Sequence, residues 1–132
     1  MRIQVTAAGT LHVGQPLVLQ GDSPDERFSA VFEDDGETGY FYARERAGPI
    51  RDALHIYNAR GVEDRDAACV IKAGWSEDGK AVVLLINDLA HAVFDFHAQR
   101  GWCRSGYPLH SAGGAWSAQG HEWEEAALAL FA

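Results

Sequence analysis

The side chains of this chain best suited to surface chemistry are concentrated between Glu33 and Tyr57. Glu33, Asp34, Asp35 and Glu37 put four carboxylates into five positions, and Tyr40, Tyr42, His55 and Tyr57 follow. The flanking runs Val31-Phe32 and Tyr40-Phe41-Tyr42 are β-prone and enclose an acidic, glycine-containing tip, which is the pattern of a β-hairpin. Tyr40 and Tyr42 then share one face of their strand while Phe41 points the other way. Phe41 is expected in the core, with one or both tyrosines at least partly towards solvent. An aromatic pair beside carboxylates suits recognition of an Arg- or Lys-rich surface through charge and cation–π attraction.

Other chemistries need spacings that the chain does not offer. Between Asp22 and Glu37 seven acidic residues stand against one base, Arg27. Calcium loops need oxygen ligands at alternating positions with a closing Glu, and Asp34-Asp35-Gly36-Glu37 lacks them. Charges at a hairpin tip also serve simply to discourage edge pairing. His91 and His97 lie about 20 Å apart if the intervening segment is extended. That leaves His55, Asp95 and His97 as the reachable metal-ligand combination, and polar positions on a partly exposed sheet explain them more simply. Cys103 sits near Arg100, Trp102 and Arg104, where a cation could lower its pKa, but no Cys–His pair is recognisable. Cys69, between Ala68 and Val70, is expected to act as a small buried hydrophobe. Gly36 and Gly39, like Gly113 and Gly114, lack the strand-to-helix setting of a phosphate loop. No metal and no cofactor is therefore expected, and no catalytic residue is assigned.

The elements that must position these residues are short and strand-like. Strands are expected over residues 2–6, 16–20, 28–34, 38–44, 52–58, 68–76, 80–87 and 90–98, with turns at Ala8-Gly9, Gly14-Gln15-Pro16, Ala47-Gly48-Pro49, Glu77-Asp78-Gly79 and 87–89. Asp78-Gly79 is the strongest hairpin signal, because a tight turn needs residues that accept positive φ. The run Ala81-Val82-Val83-Leu84-Leu85-Ile86 is apolar on both faces and should be a central, doubly covered strand. Phe94 and Phe96 alternate with polar neighbours and should face the core. Residues 61–67 read as a charged loop, and 101–120 have weak periodicity. Over 121–132, Trp123, Ala127, Leu130 and Phe131 fall at helical spacing behind Glu122, Glu124 and Glu125, so one amphipathic helix should cover a face of the sheet. No internal repeat of useful period is evident. The expected fold is mainly β (α+β): an antiparallel meander of seven or eight strands, as a bent sheet or small barrel-like arrangement, with one C-terminal helix.

Size and charge bound the partners. A chain of 132 residues with 47% apolar content forms one globular domain, residues 1–132, and buries enough surface to need no disulfide or metal. A net charge of −8 argues against nucleic acid, whose phosphates demand Lys and Arg, and against an anionic membrane surface. The chain shows no signal-peptide pattern and no apolar run long enough to span a bilayer. A cytoplasmic location with two reduced thiols is the expectation.

Three stretches carry a resemblance. They are Val31-Phe32-Glu33-Asp34-Asp35-Gly36-Glu37-Thr38-Gly39-Tyr40-Phe41-Tyr42-Ala43, Asp52-Ala53-Leu54-His55-Ile56-Tyr57-Asn58, and Trp75-Ser76-Glu77-Asp78-Gly79 with His91-Ala92-Val93-Phe94-Asp95-Phe96. Together they resemble a small bacterial family of uncharacterised proteins, over roughly residues 28–108. The resemblance implies no activity and no catalytic residues. By analogy of size and charge, small acidic bacterial proteins often serve as toxin-neutralising immunity proteins. The expected function is a non-enzymatic protein-binding domain whose acidic aromatic hairpin, with Glu33, Asp34, Asp35, Glu37, Tyr40, Tyr42, His55 and Tyr57, meets a basic protein. The alternative is a small-ligand-binding or hydrolytic enzyme domain with Glu33, Asp35, His55, Asp95 and His97 on one sheet face. A third reading, a structural subunit, would associate through the long apolar strand or the terminal helix.

Overall fold

Alternating burial and well-placed turn residues divide the described residues into nine strands. The computed structural model describes residues 1–109 and 116–132, with Ser117 through its backbone alone, so Gly113 and Gly114 lie outside the described residues. The strands are β1 (Gln4–Leu11), β2 (Leu17–Asp22), β3 (Phe28–Asp34), β4 (Thr38–Glu45), β5 (Ile50–Asn58), β6 (Cys69–Trp75), β7 (Ala81–Ile86), β8 (Leu89–Asp95) and β9 (Arg100–Cys103). They form two antiparallel sheets, one in the order β2-β3-β4-β5 and the other β1-β6-β7-β8-β9. The fold is thus mainly β and antiparallel, as expected, without a closed barrel.

Two meanders replace the single one anticipated, because β1 leaves β2 and pairs with β6. Ala8-Gly9 is not a turn. β1 runs through it, with Gly9 opposite Ile71, and the chain reverses at Gly14, whose φ is +87°. Where the two sheets meet, β1 passes so close to β2 that a Cβ on Gly21 would lie 2.9 Å from Thr6 Oγ1 and 3.2 Å from Ala7 Cβ. Only a glycine permits that approach.

The same turn opens both meanders. Ser23 Oγ donates to Asp25 Oδ1 at 2.6 Å and accepts from the Phe28 amide at 3.1 Å. Ser76 Oγ likewise donates to Asp78 Oδ1 at 2.6 Å and accepts from the Ala81 amide at 3.0 Å. The fourth residue has positive φ in each, Glu26 at 62° and Gly79 at 72°. The likeness is confined to this Ser-x-Asp turn.

β7 is buried along its whole length, and its two faces enter different cores. Val82, Leu84 and Ile86 pack between the sheets with Phe32, Phe41, Leu54, Ile71, Trp75, Phe94 and Phe96. Ala81, Val83 and Leu85 pack outward with Val93 and Trp102 beneath Ala127 and Phe131. Full burial of each such aliphatic side chain contributes about 1.5–3 kcal/mol. The terminal element covers the sheet as anticipated, but it is a short 3-10 helix, Glu125–Phe131, rather than an amphipathic helix over residues 121–132. The reason lies upstream: His121 is committed to side-chain partners described below, and Glu122 bridges Cys103 as extended chain. Glu124 is still extended at φ −132° and ψ 122°. β8 also ends early, at Asp95, whose carboxylate accepts the amides of His97 and Ala98, each at 3.0 Å. The turn that follows leads into β9, a four-residue strand without alternation of its own. Among the described residues no helix is long and apolar enough to cross a membrane.

Candidate functional site

Strand parity decides what each residue of the acidic hairpin can do. Along β3 and β4, Phe32, Asp34, Gly39, Phe41 and Ala43 are buried while Glu33, Tyr40 and Tyr42 are half-exposed. Asp34 thus faces the interior, at 1% exposure. Its Oδ2 accepts the Tyr57 hydroxyl at 2.6 Å and the Gly14 amide at 2.8 Å, and its Oδ1 accepts the Gly36 amide at 2.8 Å. Desolvation, the Asp34 hydrogen bond and the Asp34 charge all push the Tyr57 pKa up. Asp34 and Tyr57, expected at the contact surface, are instead the internal link between the β1–β2 turn, the hairpin tip and β5. Their polar ends are consumed there.

Asp35 is exposed but also structural. Its Oδ1 accepts the amides of Glu37 and Thr38, each at 2.9 Å. The Thr38 bond, then the Glu37 bond, hold its carboxyl below the usual range. Two of the four tip carboxylates therefore build the turn, leaving Glu33 and Glu37 as the ones with free valence.

On the outer face of the β2–β5 sheet, register sets Glu33 opposite Tyr40 and Tyr42 opposite Val31. Tyr40 is also opposite His55. The Tyr40 and Tyr42 rings stack at 5.8 Å, and Tyr40 meets the His55 imidazole at 5.6 Å. Tyr42 donates to Glu33 Oε1 at 3.3 Å. Desolvation first, then the Glu33 charge, raises the Tyr42 pKa to about 12, so its hydroxyl stays a donor at neutral pH. His55 Nε2 donates to Asn58 Oδ1 at 3.0 Å, and its backbone pairs with Tyr107. Val18, Tyr107 and Leu109 are exposed apolar side chains, and Val18 lies opposite Glu33. Glu33, Tyr40, Tyr42 and His55 are thus brought together as one rigid patch, with Phe41 beneath it in the core.

The alternative constellation is not assembled. Glu33 and His55 lie on the β2–β5 sheet, while Asp95 ends β8 in the other sheet and is occupied in capping its own turn, which carries His97. Among the described residues no three His, Cys, Asp or Glu side chains converge at metal-ligating spacing. The thiols are both free. Cys103 is buried, and burial pushes its pKa up despite hydrogen bonds around Ser105 and Tyr107. The neighbouring arginines do not activate it, since Arg100 lies over Trp102 and Arg104 over Trp123. Cys69 is only half-buried, at the margin of the core.

Two features were not anticipated from the sequence. The first is a buried ion pair between Asp52 and His121, residues 69 apart in the chain, at 2.8 Å. The other imidazole nitrogen, Nδ1, donates to the Pro108 carbonyl at 2.6 Å. Burial alone depresses the His121 pKa, but the Asp52 hydrogen bond, the Pro108 carbonyl and the Asp52 charge outweigh it and raise the value. Both ring nitrogens face acceptors, an arrangement that favours the protonated imidazole. The second is a cleft beside the hairpin tip, lined by Arg60 from the turn after β5 and Arg65 from the segment 61–67 read as a charged loop. Its one sequence signal was two arginines close together in a chain of excess acids.

The geometry is that of a two-sheet antiparallel β protein with an aromatic outer face and a polar cleft lined by charges of both signs. Residues 11–132 match the family described as "Uncharacterized protein conserved in bacteria" (DUF2251), and the chain belongs to it. The match reaches beyond the 28–108 expected, taking in β2 and the C-terminal segment that His121 fastens to β5. A Haemophilus influenzae protein, described as uncharacterized, is 42% identical over 119 residues, covering 87% of this chain and 74% of its own length. No solved structure matches.

Proposed function

We propose that this protein is a non-enzymatic binding domain that docks a basic protein on the outer face of the β2–β5 sheet. The observation that carries this reading is the Tyr42–Tyr40–His55 aromatic row, with Glu33 bonded at its edge. Aromatic side chains fixed on strands lose little entropy on binding and supply large contact area. Lys and Arg side chains laid on such rings gain cation–π attraction, and Glu33 and Glu37 add complementary charge. A net charge of −8 favours encounter with a basic surface at low salt. The narrower form, a toxin-neutralising immunity-type protein in the cytoplasm, rests on size and charge.

The test is capture from a lysate of the source bacterium by tagged wild-type protein and two variants, Tyr40→Ala/Tyr42→Ala and Glu33→Gln/Glu37→Gln. The reading expects a basic protein retained by wild type, released by salt, and lost from the tyrosine variant. Release at lower salt is expected for the Gln variant. Equal capture by all three proteins would overturn it.

A further inference from the structure

The cleft between the β1–β2 turn, the β3–β4 tip and the turn after β5 has a volume of about 960 Å³, within the size range of small-molecule sites. Its floor is backbone. Gly14 and Gly36 take positive φ, 87° and 100°, and a Cβ on Gly14 would lie 3.4 Å from Ala59 Cβ. Asp34 holds both glycine amides from beneath, so the floor is rigid. The walls carry Gln15, Thr38 and Asn58, with Arg60, Arg65, Glu37 and Asp66 as the charged groups.

Two arginines without an ion pair line this one cleft. Arg46, Arg51, Lys72, Arg100 and Arg104 all reach carboxylates. Among the described residues Arg60 and Arg65 form no ion pair, nor do Arg2, Arg27, Arg44 and Lys80, and of these six Arg60 and Arg65 are the two that line this cleft. Two unpaired guanidiniums on one cleft offer two positive charges and forked donors, which match a phosphate dianion better than a single carboxylate. Glu37 and Asp66 would repel a bare polyanion but accept hydrogen bonds from hydroxyl groups. The lining includes no aromatic ring on which a nucleobase could stack.

We propose that this cleft binds a small phosphorylated polyhydroxy compound, a sugar or polyol phosphate, with Arg60 and Arg65 on the phosphate and Glu37 and Asp66 on its hydroxyls. The inference shares Glu37 with the protein-binding reading but otherwise uses residues outside the aromatic row and does not depend on that reading.

Titration calorimetry on the intact protein tests it with hexose, pentose and glycerol monophosphates, the free hexose, inorganic phosphate, adenosine monophosphate and citrate. Saturable binding of at least one sugar or polyol phosphate is expected, at least about tenfold tighter than inorganic phosphate, with none of the free hexose. Arg60→Gln/Arg65→Gln should weaken that binding by about tenfold or more with an unchanged melting temperature, both side chains being exposed. Asp66→Asn should weaken the sugar phosphate and spare inorganic phosphate. The proposal is overturned if no phosphate compound binds up to about 10 mM, if the double variant binds as wild type, or if citrate or the nucleotide binds more tightly.

Discussion

The Tyr57 hydroxyl donates to the buried Asp34 carboxylate at 2.6 Å, joining the edge strand β5 to the hairpin that the acidic tip closes. The same carboxylate also accepts the Gly14 and Gly36 amides, each at 2.8 Å.

Removing the phenol oxygen should cost stability without altering the outer face. Tyr57→Phe is expected to destabilise by about 1–3 kcal/mol, read by urea unfolding. Asp34→Ala should cost more, because it strands the Tyr57 hydroxyl and two amides together. Asp35→Asn, at an exposed turn, should cost less than either. Equal effects for Asp34 and Asp35 would remove the internal link from the account.

Gly39 faces Tyr57 across the β4–β5 pair, and a Cβ there would lie 2.6 Å from the Tyr57 ring. Gly39→Ala must push the ring off Asp34 or bend β4. A loss of about 1–3 kcal/mol is expected from overpacking, with partial recovery when combined with Tyr57→Ala. Differential scanning calorimetry of the single and double variants gives the coupling.

The Asp52–His121 pair sets a pH dependence. The folded-state pKa of His121 is raised above 6.5, so the folded protein holds this proton more tightly than the unfolded chain. The stabilisation is complete below the unfolded value and is lost as pH rises through the folded one. The destabilisation caused by His121→Gln, on the order of 1–3 kcal/mol in mildly acidic solution, should therefore shrink as pH is raised. Urea denaturation of both proteins across that range measures it. A gap that widens with pH would contradict a protonated His121.

Thiol reactivity should separate the cysteines. With Cys103 buried and its pKa raised, iodoacetamide should label Cys69 in the native protein and Cys103 only after denaturant is added. Peptide mass spectrometry reads the sites.

What could be read from the chain follows from the range of the interactions involved. β3 and the hairpin at Asp78-Gly79 are local patterns, and both stand where alternation and turn residues put them. The doubly covered β7 was visible because six consecutive apolar residues leave no polar face. β9 was not, since its four residues are a strand only by pairing with β8. Parity in β3 already pointed Asp34 towards the side of Phe32, but a carboxylate on that side needed Gly14 and Tyr57, which no spacing announces. The Asp52–His121 contact spans both sheets, and residue types alone cannot report it. The C-terminal helix was legible in its apolar spacing and overestimated in length, because His121 holds the chain extended.

The pairing of β1 with β6 has a consequence for how the molecule is made. Gln4 meets Trp75 and Leu11 meets Cys69, so β1 has no strand partner in its sheet until β6 has been synthesised. The β2–β5 hairpins can zip from neighbouring segments, while β1 must close a long loop and is slowed by that entropy. Its backbone edge stays open in the interval, a template for other chains. Vectorial synthesis thus makes β1 a latch, thrown late across two halves that have already begun to form.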